Sequence, residues 1–176
     1  AQCTDKRVNI VTPQLFKDFP TAEVMANSSA EVIYEYIKSV TFPNNKSKYL
    51  VNMAKMLVEK YGGIIPKEVK EIEKLPGAGR KTANVVASIV YNQPLFAVDT
   101  HVFRVAERLG FTNNSKSPLE TELELTKHVP KKLIPKAHHW FILHGRYVCV
   151  ARKPKCDICQ LTAWCKYFEK NKNKKT

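Results

Sequence analysis

A chain of 176 residues with 44% apolar side chains can bury one substantial core or two small ones, which excludes a disordered protein. Lys and Arg number 29 against 16 Asp and Glu, a formal charge of +13 that calls for a polyanionic partner. No apolar run approaches the length that crosses a bilayer, and the first residues, through Lys6, lack the apolar segment of a signal peptide, so no membrane partner is expected. The tail lysines Lys170, Lys172, Lys174 and Lys175 supply only four of the thirteen charges, so the basic field belongs to the whole chain.

Almost every segment carries a helical period. Val8, Val11, Leu15, Phe16 and Phe19 recur mostly at spacings of three and four, with Pro13 expected in an early turn. Thr21 is placed to cap a short helix through Asn27, and Ser29 the next, which carries Val32, Ile33, Tyr36, Ile37 and Val40. A long helix is expected from Asn44 or Asn45, striped by Leu50, Met53, Met56 and Leu57 and stopped by Gly62-Gly63. Another follows Pro66, over Lys67–Leu75. A helix over Arg80–Tyr91 packs through Val85, Val86, Ile89 and Val90. Ala97–Thr100 is short and extended. Asp99 or Thr100 caps the next helix, which Gly110 closes. Ser117-Pro118 opens a further one, and Lys131–Gly145, with a break expected at Pro135, is the last before a cysteine-rich segment and a polar tail. No strand pattern of useful length is present. The predicted class is all-α, with a domain boundary at Asn92-Gln93-Pro94, giving residues 1–93 and 94–176.

The stretch Leu75-Pro76-Gly77-Ala78-Gly79-Arg80-Lys81 joins two of these helices. Pro76 stops the first, and Gly77 and Gly79 let the backbone turn with no side chain above it. The amide groups at such a turn and at the following helix start are suited to a phosphate. An ordinary helix connection has the same glycines. Lys81 falls in the first turn of its helix, where the dipole is expected to lower the amine pKa toward a neutral nucleophile, or else it is a solvated contact to phosphate. Asp99 suits either general acid–base work or a helix cap.

Four of the five cysteines, Cys149, Cys156, Cys159 and Cys165, crowd into seventeen residues with spacings x6, x2 and x5, which suits zinc or an iron–sulfur cluster in a reducing compartment. Only one pair has the Cys-x2-Cys spacing of a zinc knuckle. Arg152, Lys153 and Lys155 lie within the first gap, on a loop tethered at both ends, as a phosphate-contacting surface would. Cys3 stands apart and is expected to be a small buried hydrophobe.

The hairpin stretch, Asn84-Val85-Val86, Ala97-Val98-Asp99-Thr100-His101, His138-His139-Trp140, Leu143-His144-Gly145-Arg146-Tyr147 and the four cysteines together resemble the endonuclease III family of helix-hairpin-helix DNA glycosylases, over nearly the whole chain. The resemblance implies a helical barrel domain containing the hairpin, an iron–sulfur domain, and a cleft between them. It implies a bifunctional glycosylase and abasic-site lyase that removes oxidised pyrimidines from duplex DNA. Lys81 then attacks C1′ of the sugar and forms a Schiff base, and Asp99 stabilises the developing charge. Cys149, Cys156, Cys159 and Cys165 hold a [4Fe–4S] cluster. Gly77, Ala78, Gly79, Arg80, Arg152, Lys153 and Lys155 grip the backbone. Gln2 and Phe42 fill the gap left by an extruded base, and Ser39 and Lys46 are weaker candidates for phosphate. Such a protein is expected to be monomeric and intracellular, in a bacterial cytoplasm, with a nucleus or organelle as alternatives. The family carries helices upstream of the Ala-Gln motif, so the chain reads as N-terminally truncated. The adenine- and mismatch-specific branches share the architecture but generally lack the hairpin lysine. A non-catalytic iron–sulfur DNA-binding protein is a further alternative, disfavoured by the presence of both Lys81 and Asp99.

Overall fold

The computed structural model describes residues 2–172; Ala1, Lys174 and Lys175 lie outside the described residues. Among those described there is no strand, and the all-α class stands. The chain forms two compact units, residues 1–79 and 80–176. The boundary expected from the sequence lay after Gln93. The helix over Arg80–Tyr91 groups with the second unit, where the Asn84 side chain donates to the Phe96 carbonyl at 2.9 Å.

The first unit contains α1 (Asp5–Asp18), α2 (Ala22–Ala26), α3 (Ala30–Ile37), α4 (Pro43–Tyr61) and the single turn α5 (Val69–Ile72). Thr4, Thr21 and Ser29 each accept, through the side-chain oxygen, the N–H three residues on, and so satisfy an orphan donor of α1, α2 and α3. Helix α4 is the spine: α2 and α3 pack along it, and Val51 and Ala54 join Leu15, Met25, Ile33, Ile37 and Val40 in one core. Each such side chain fully buried is worth about 1.5–3 kcal/mol. Gly62, at φ +60°, ends α4 in the left-handed conformation that a side chain would resist.

Three expectations change. Pro13 sits inside α1 rather than in an early turn. It and Asn9, whose carbonyl loses its helical donor, are both exposed, so water can satisfy that carbonyl. The helix expected over Lys67–Leu75 shrinks to α5, which has no side-chain cap at Glu68. Cys3 is half-buried at the edge of the core rather than inside it.

The second unit contains α6 (Arg80–Tyr91), α7 (Thr100–Leu109), α8 (Pro118–His128), α9 (Ile134–Tyr147) and α10 (Lys166–Lys172). Helix α7 is central and touches α8, α9 and α10. Val102, Val105 and Ala106 meet Phe96, Leu125, Ile134, Ala137 and Phe141 in its core. At Gly145 the backbones of α7 and α9 close so tightly that a Cβ would stand 2.9 Å from that of His101. Pro135 does not break a helix. A 3-10 turn over Lys131–Leu133 leads into α9, and Pro135 occupies its first turn, where no N–H is required.

Candidate active site

Leu75 to Ala78 form a tight turn closed by the Ala78 N–H on the Leu75 carbonyl at 3.0 Å. Pro76 fixes φ at the second position, and Gly77 takes φ +80° at the third, the pattern of a type II turn. A Cβ on Gly77 would also press on the Tyr49 side chain at 3.0 Å, whereas one on Gly79 would meet no protein atom within 4 Å. The backbone at Gly79 is therefore open on that side. Helix α6 begins at the next residue. The Arg80 guanidinium faces α8, where its Nε and Nη2 donate to the two oxygens of Glu122 at 3.1 and 2.8 Å. That bidentate pair fastens the first turn of α6.

Lys81 follows, with its side chain 55% exposed and its Nζ 3.9 Å from Oδ2 of Asp99. Asp99 is the N-cap of α7; the capping role left open for Thr100 is not taken by it, because Thr100 is already helical. Oδ1 of Asp99 accepts from the N–H groups of His101 and Val102, both at 2.8 Å. The two carboxylate oxygens thus have separate tasks. One is fixed by the helix start, and the other is presented to an amine.

Gln2 and Phe42 share an unusual feature. Both lie in the left-handed region, at φ 53° and 54°, where a side chain is strained. The Gln2 carbonyl is held by the Thr41 hydroxyl at 2.6 Å, and Phe42 stands 60% exposed at the start of α4. Gln2, Phe42, Lys46, Tyr49 and Gly77 line one groove of the first unit. Nothing in that unit's core requires Phe42 to be aromatic. Phe42→Gly should therefore relieve the left-handed strain and leave stability unchanged or higher by up to about 1 kcal/mol. It should at the same time weaken binding to lesion-containing duplex. Thermal melting and a gel-shift titration check both halves.

Cys149, Cys156, Cys159 and Cys165 line one small cavity, walled by apolar groups such as Leu109, Val148, Pro154 and Phe168. Four thiolate donors around one apolar cavity are a ligand set that suits an iron–sulfur group. Burial, and then the charges of the other three cysteines, push the Cys156 thiol up. Four thiolates here need a positively charged core to remain together. Arg152, Lys153 and Lys155 project, exposed, from the loop between the first two cysteines, and Lys153 is left-handed at φ 52°.

Residues 1–131 match the model of the HhH-GPD superfamily of base excision DNA repair proteins, and residues 149–165 match the iron-sulfur binding domain of endonuclease III. Endonuclease III of Rickettsia felis is 45% identical over 96% of this chain and 78% of its own length. The chain belongs to the endonuclease III family. The Escherichia coli member is 41% identical over 97% of this chain and 80% of its own length. A trapped endonuclease III–DNA covalent intermediate superposes with a TM-score of 0.90 at 42% identity, covering 98% of this chain and 81% of that one. A thermostable thymine-DNA glycosylase gives 0.87 at 25% identity, covering 96% and 79%. As an endonuclease III family member, the protein is a base-excision repair DNA glycosylase and lyase with a [4Fe–4S] cofactor.

Several residues of this family member that shape the site were not legible from sequence. Arg108 of α7 donates to the carbonyls of Val150 and Ala151 at 2.8 and 3.0 Å and to the Cys149 sulfur at 3.3 Å, and it stacks over Tyr167. Arg104 holds the Cys149 and Gly145 carbonyls. Together they tie the basic loop to α7. His138 is buried beside Ala97. Burial first, then the charge of His139, lowers its pKa against the opposing pull of Asp99.

Proposed function

We propose that this chain removes oxidised pyrimidines from duplex DNA and cleaves the resulting abasic site with Lys81 as nucleophile and Asp99 as its partner. The observation that carries this reading is the 3.9 Å approach of the Lys81 amine to the one Asp99 oxygen not consumed by the helix cap. A proton leaving the amine has a base beside it, and positive charge developing on the sugar has a carboxylate to face.

The chemistry balances without an external oxidant or reductant. Nζ bonds to C1′, and the glycosidic bond breaks with its electron pair leaving on the base, which is protonated. The amine gives up a proton, the sugar ring opens, and a protonated Schiff base stands at C1′. Loss of a proton from C2′ expels the 3′ phosphate, and water then releases Lys81. The four clustered cysteines would hold the [4Fe–4S] group, which when bound supplies a fixed frame for the basic loop. Arg152, Lys153 and Lys155 meet the phosphate backbone, as does the glycine turn from Gly77 to Arg80. Gln2 and Phe42 occupy the space of the extruded nucleotide. Their left-handed backbones, held against an energetic cost, support that role.

The bacterial origin of the relatives supports a bacterial cytoplasm as the compartment, and in this reading the protein acts as a monomer. No helix among the described residues is long and apolar enough to cross a membrane. A panel of duplexes tests the lesion class. Thymine glycol and dihydrouracil should be excised with strand cleavage, at least about tenfold faster than adenine opposite oxidised guanine or thymine opposite guanine. Equal or faster excision of adenine or mismatched thymine, with no cleavage, would transfer the protein to a monofunctional branch.

A further inference from the structure

The stripe of α6 that faces the core contains one misfit. The stripe is formed by Ala83, Asn84, Ala87 and Ser88 rather than by the expected Val85, Val86, Ile89 and Val90, of which Ile89 and Val90 are exposed; Ala83, Ala87 and Ser88 are small, whereas Asn84 is a buried amide, 1% exposed. Asn is a poor helix former compared with Ala, and burying its amide without full pairing is destabilising. Its Nδ2 donates to the carbonyl of Phe96 at 2.9 Å. Its Oδ1 has no partner among the described residues. Packing alone would be better served by an alanine or a leucine.

The Phe96 carbonyl explains the amide. Phe96, Ala97 and Val98 are buried, yet they run extended with no neighbouring strand to take their polar groups. A side chain replaces the missing ladder there. Asn84 serves Phe96. The carbonyl can only accept, so the nitrogen end of the amide must face it, and an aspartate at this position would set two acceptors against each other.

The spacing gives this bond a role in the reaction. Asn84 lies one turn after Lys81 on the same helix, and Phe96 lies three residues before Asp99. The carboxylate beyond it is fixed in its turn by the two N–H groups at the start of α7. We propose that Asn84 is a positioning residue: its amide locks the extended segment to α6 and so sets the separation of Lys81 and Asp99. It touches neither DNA nor the reacting atoms. This inference rests on Lys81 and Asp99 being the reacting pair.

Asn84→Leu keeps the branched shape with some added volume and removes the donor, and Asn84→Ser keeps a shorter donor. The measurements are the single-turnover cleavage rate on an abasic duplex at saturating protein, the affinity for a duplex carrying an uncleavable tetrahydrofuran analogue, the iron content and the melting temperature. An ångström of misplacement costs up to about a hundredfold in rate. The expected result for Asn84→Leu is a rate about 10- to 100-fold lower, with affinity within about twofold and iron content unchanged, and Asn84→Ser falling between it and the wild type. An unchanged rate overturns the proposal. So does a rate that falls only in step with affinity, iron or melting temperature in both variants, which would make Asn84 a packing residue. Lys81→Gln, measured alongside, separates the two layers. If it still cleaves, the reacting pair is wrong; if it is inactive while Asn84→Leu is normal, only the positioning role fails.

Discussion

Lys81→Gln should eliminate borohydride-trapped complex with abasic or thymine glycol duplex and reduce strand cleavage by about 10⁴-fold or more, since removing a nucleophile removes the step it performs. The fold should not notice. The side chain is 55% exposed, and its ion pair with Asp99, at 3.9 Å, is of the kind that contributes at most about 1 kcal/mol. Iron content and melting temperature should match the wild type, and duplex affinity should fall by no more than the loss of one phosphate-range charge. The quantity to measure is the covalent product after reduction, resolved from free protein by its mass. Trapping by Lys81→Gln equal to that of the wild type would remove this lysine from the mechanism. Base removal that persists without trapping would leave a glycosylase that uses water, with Lys81 as a DNA contact.

Asp99→Asn should separate two functions carried by one side chain. Asn is as good an N-cap as Asp, so Oδ1 can still accept from His101 and Val102 and α7 keeps its start. The amide cannot take a proton from Lys81 or face a developing cation. A rate loss of about 10²- to 10⁴-fold is expected, with little change in melting temperature. Asp99→Ala should lose the same rate and also the cap, costing about 1 kcal/mol, or about 2–4 °C for a chain of this size. The difference in melting temperature between the two variants therefore measures the cap, and the shared rate loss measures the chemistry. A rate within tenfold of the wild type for Asp99→Asn would reduce Asp99 to a structural residue.

Local features were readable because their physics is local. Thr21, Ser29 and Ser117 each cap a helix through a contact three residues away, which spacing alone reveals. Gly62 and Gly110 end helices in the left-handed conformation for the same reason. Where the outcome depended on distant neighbours, the pattern misled. Helix α10, expected as part of a polar tail, lacks an apolar stripe of its own; it packs on α7, with Tyr167 beneath the Arg108 guanidinium. Pro135 looked like a break because nothing in the sequence showed that Lys131–Leu133 would make a separate 3-10 turn before it. The sequence groups the helix over Arg80–Tyr91 with the residues before it, whereas its buried amide binds it to those after it.

The sequence by itself determined the chemistry on offer: a basic chain, a glycine hairpin followed by a lysine, an aspartate at a helix start, and four cysteines at cluster spacing. Residue identity and short spacing carry that information, because turns, caps and ligand loops are built from neighbours. Only the tertiary structure decided how those groups are employed. It divided the two oxygens of Asp99 between cap and amine, occupied Arg80 with Glu122, and bent Gln2 and Phe42 into left-handed strain beside one groove. It also gave Arg108 the carbonyls of the basic loop. Each of these is a pairing between groups far apart in sequence, or a strain that only the surrounding packing can sustain.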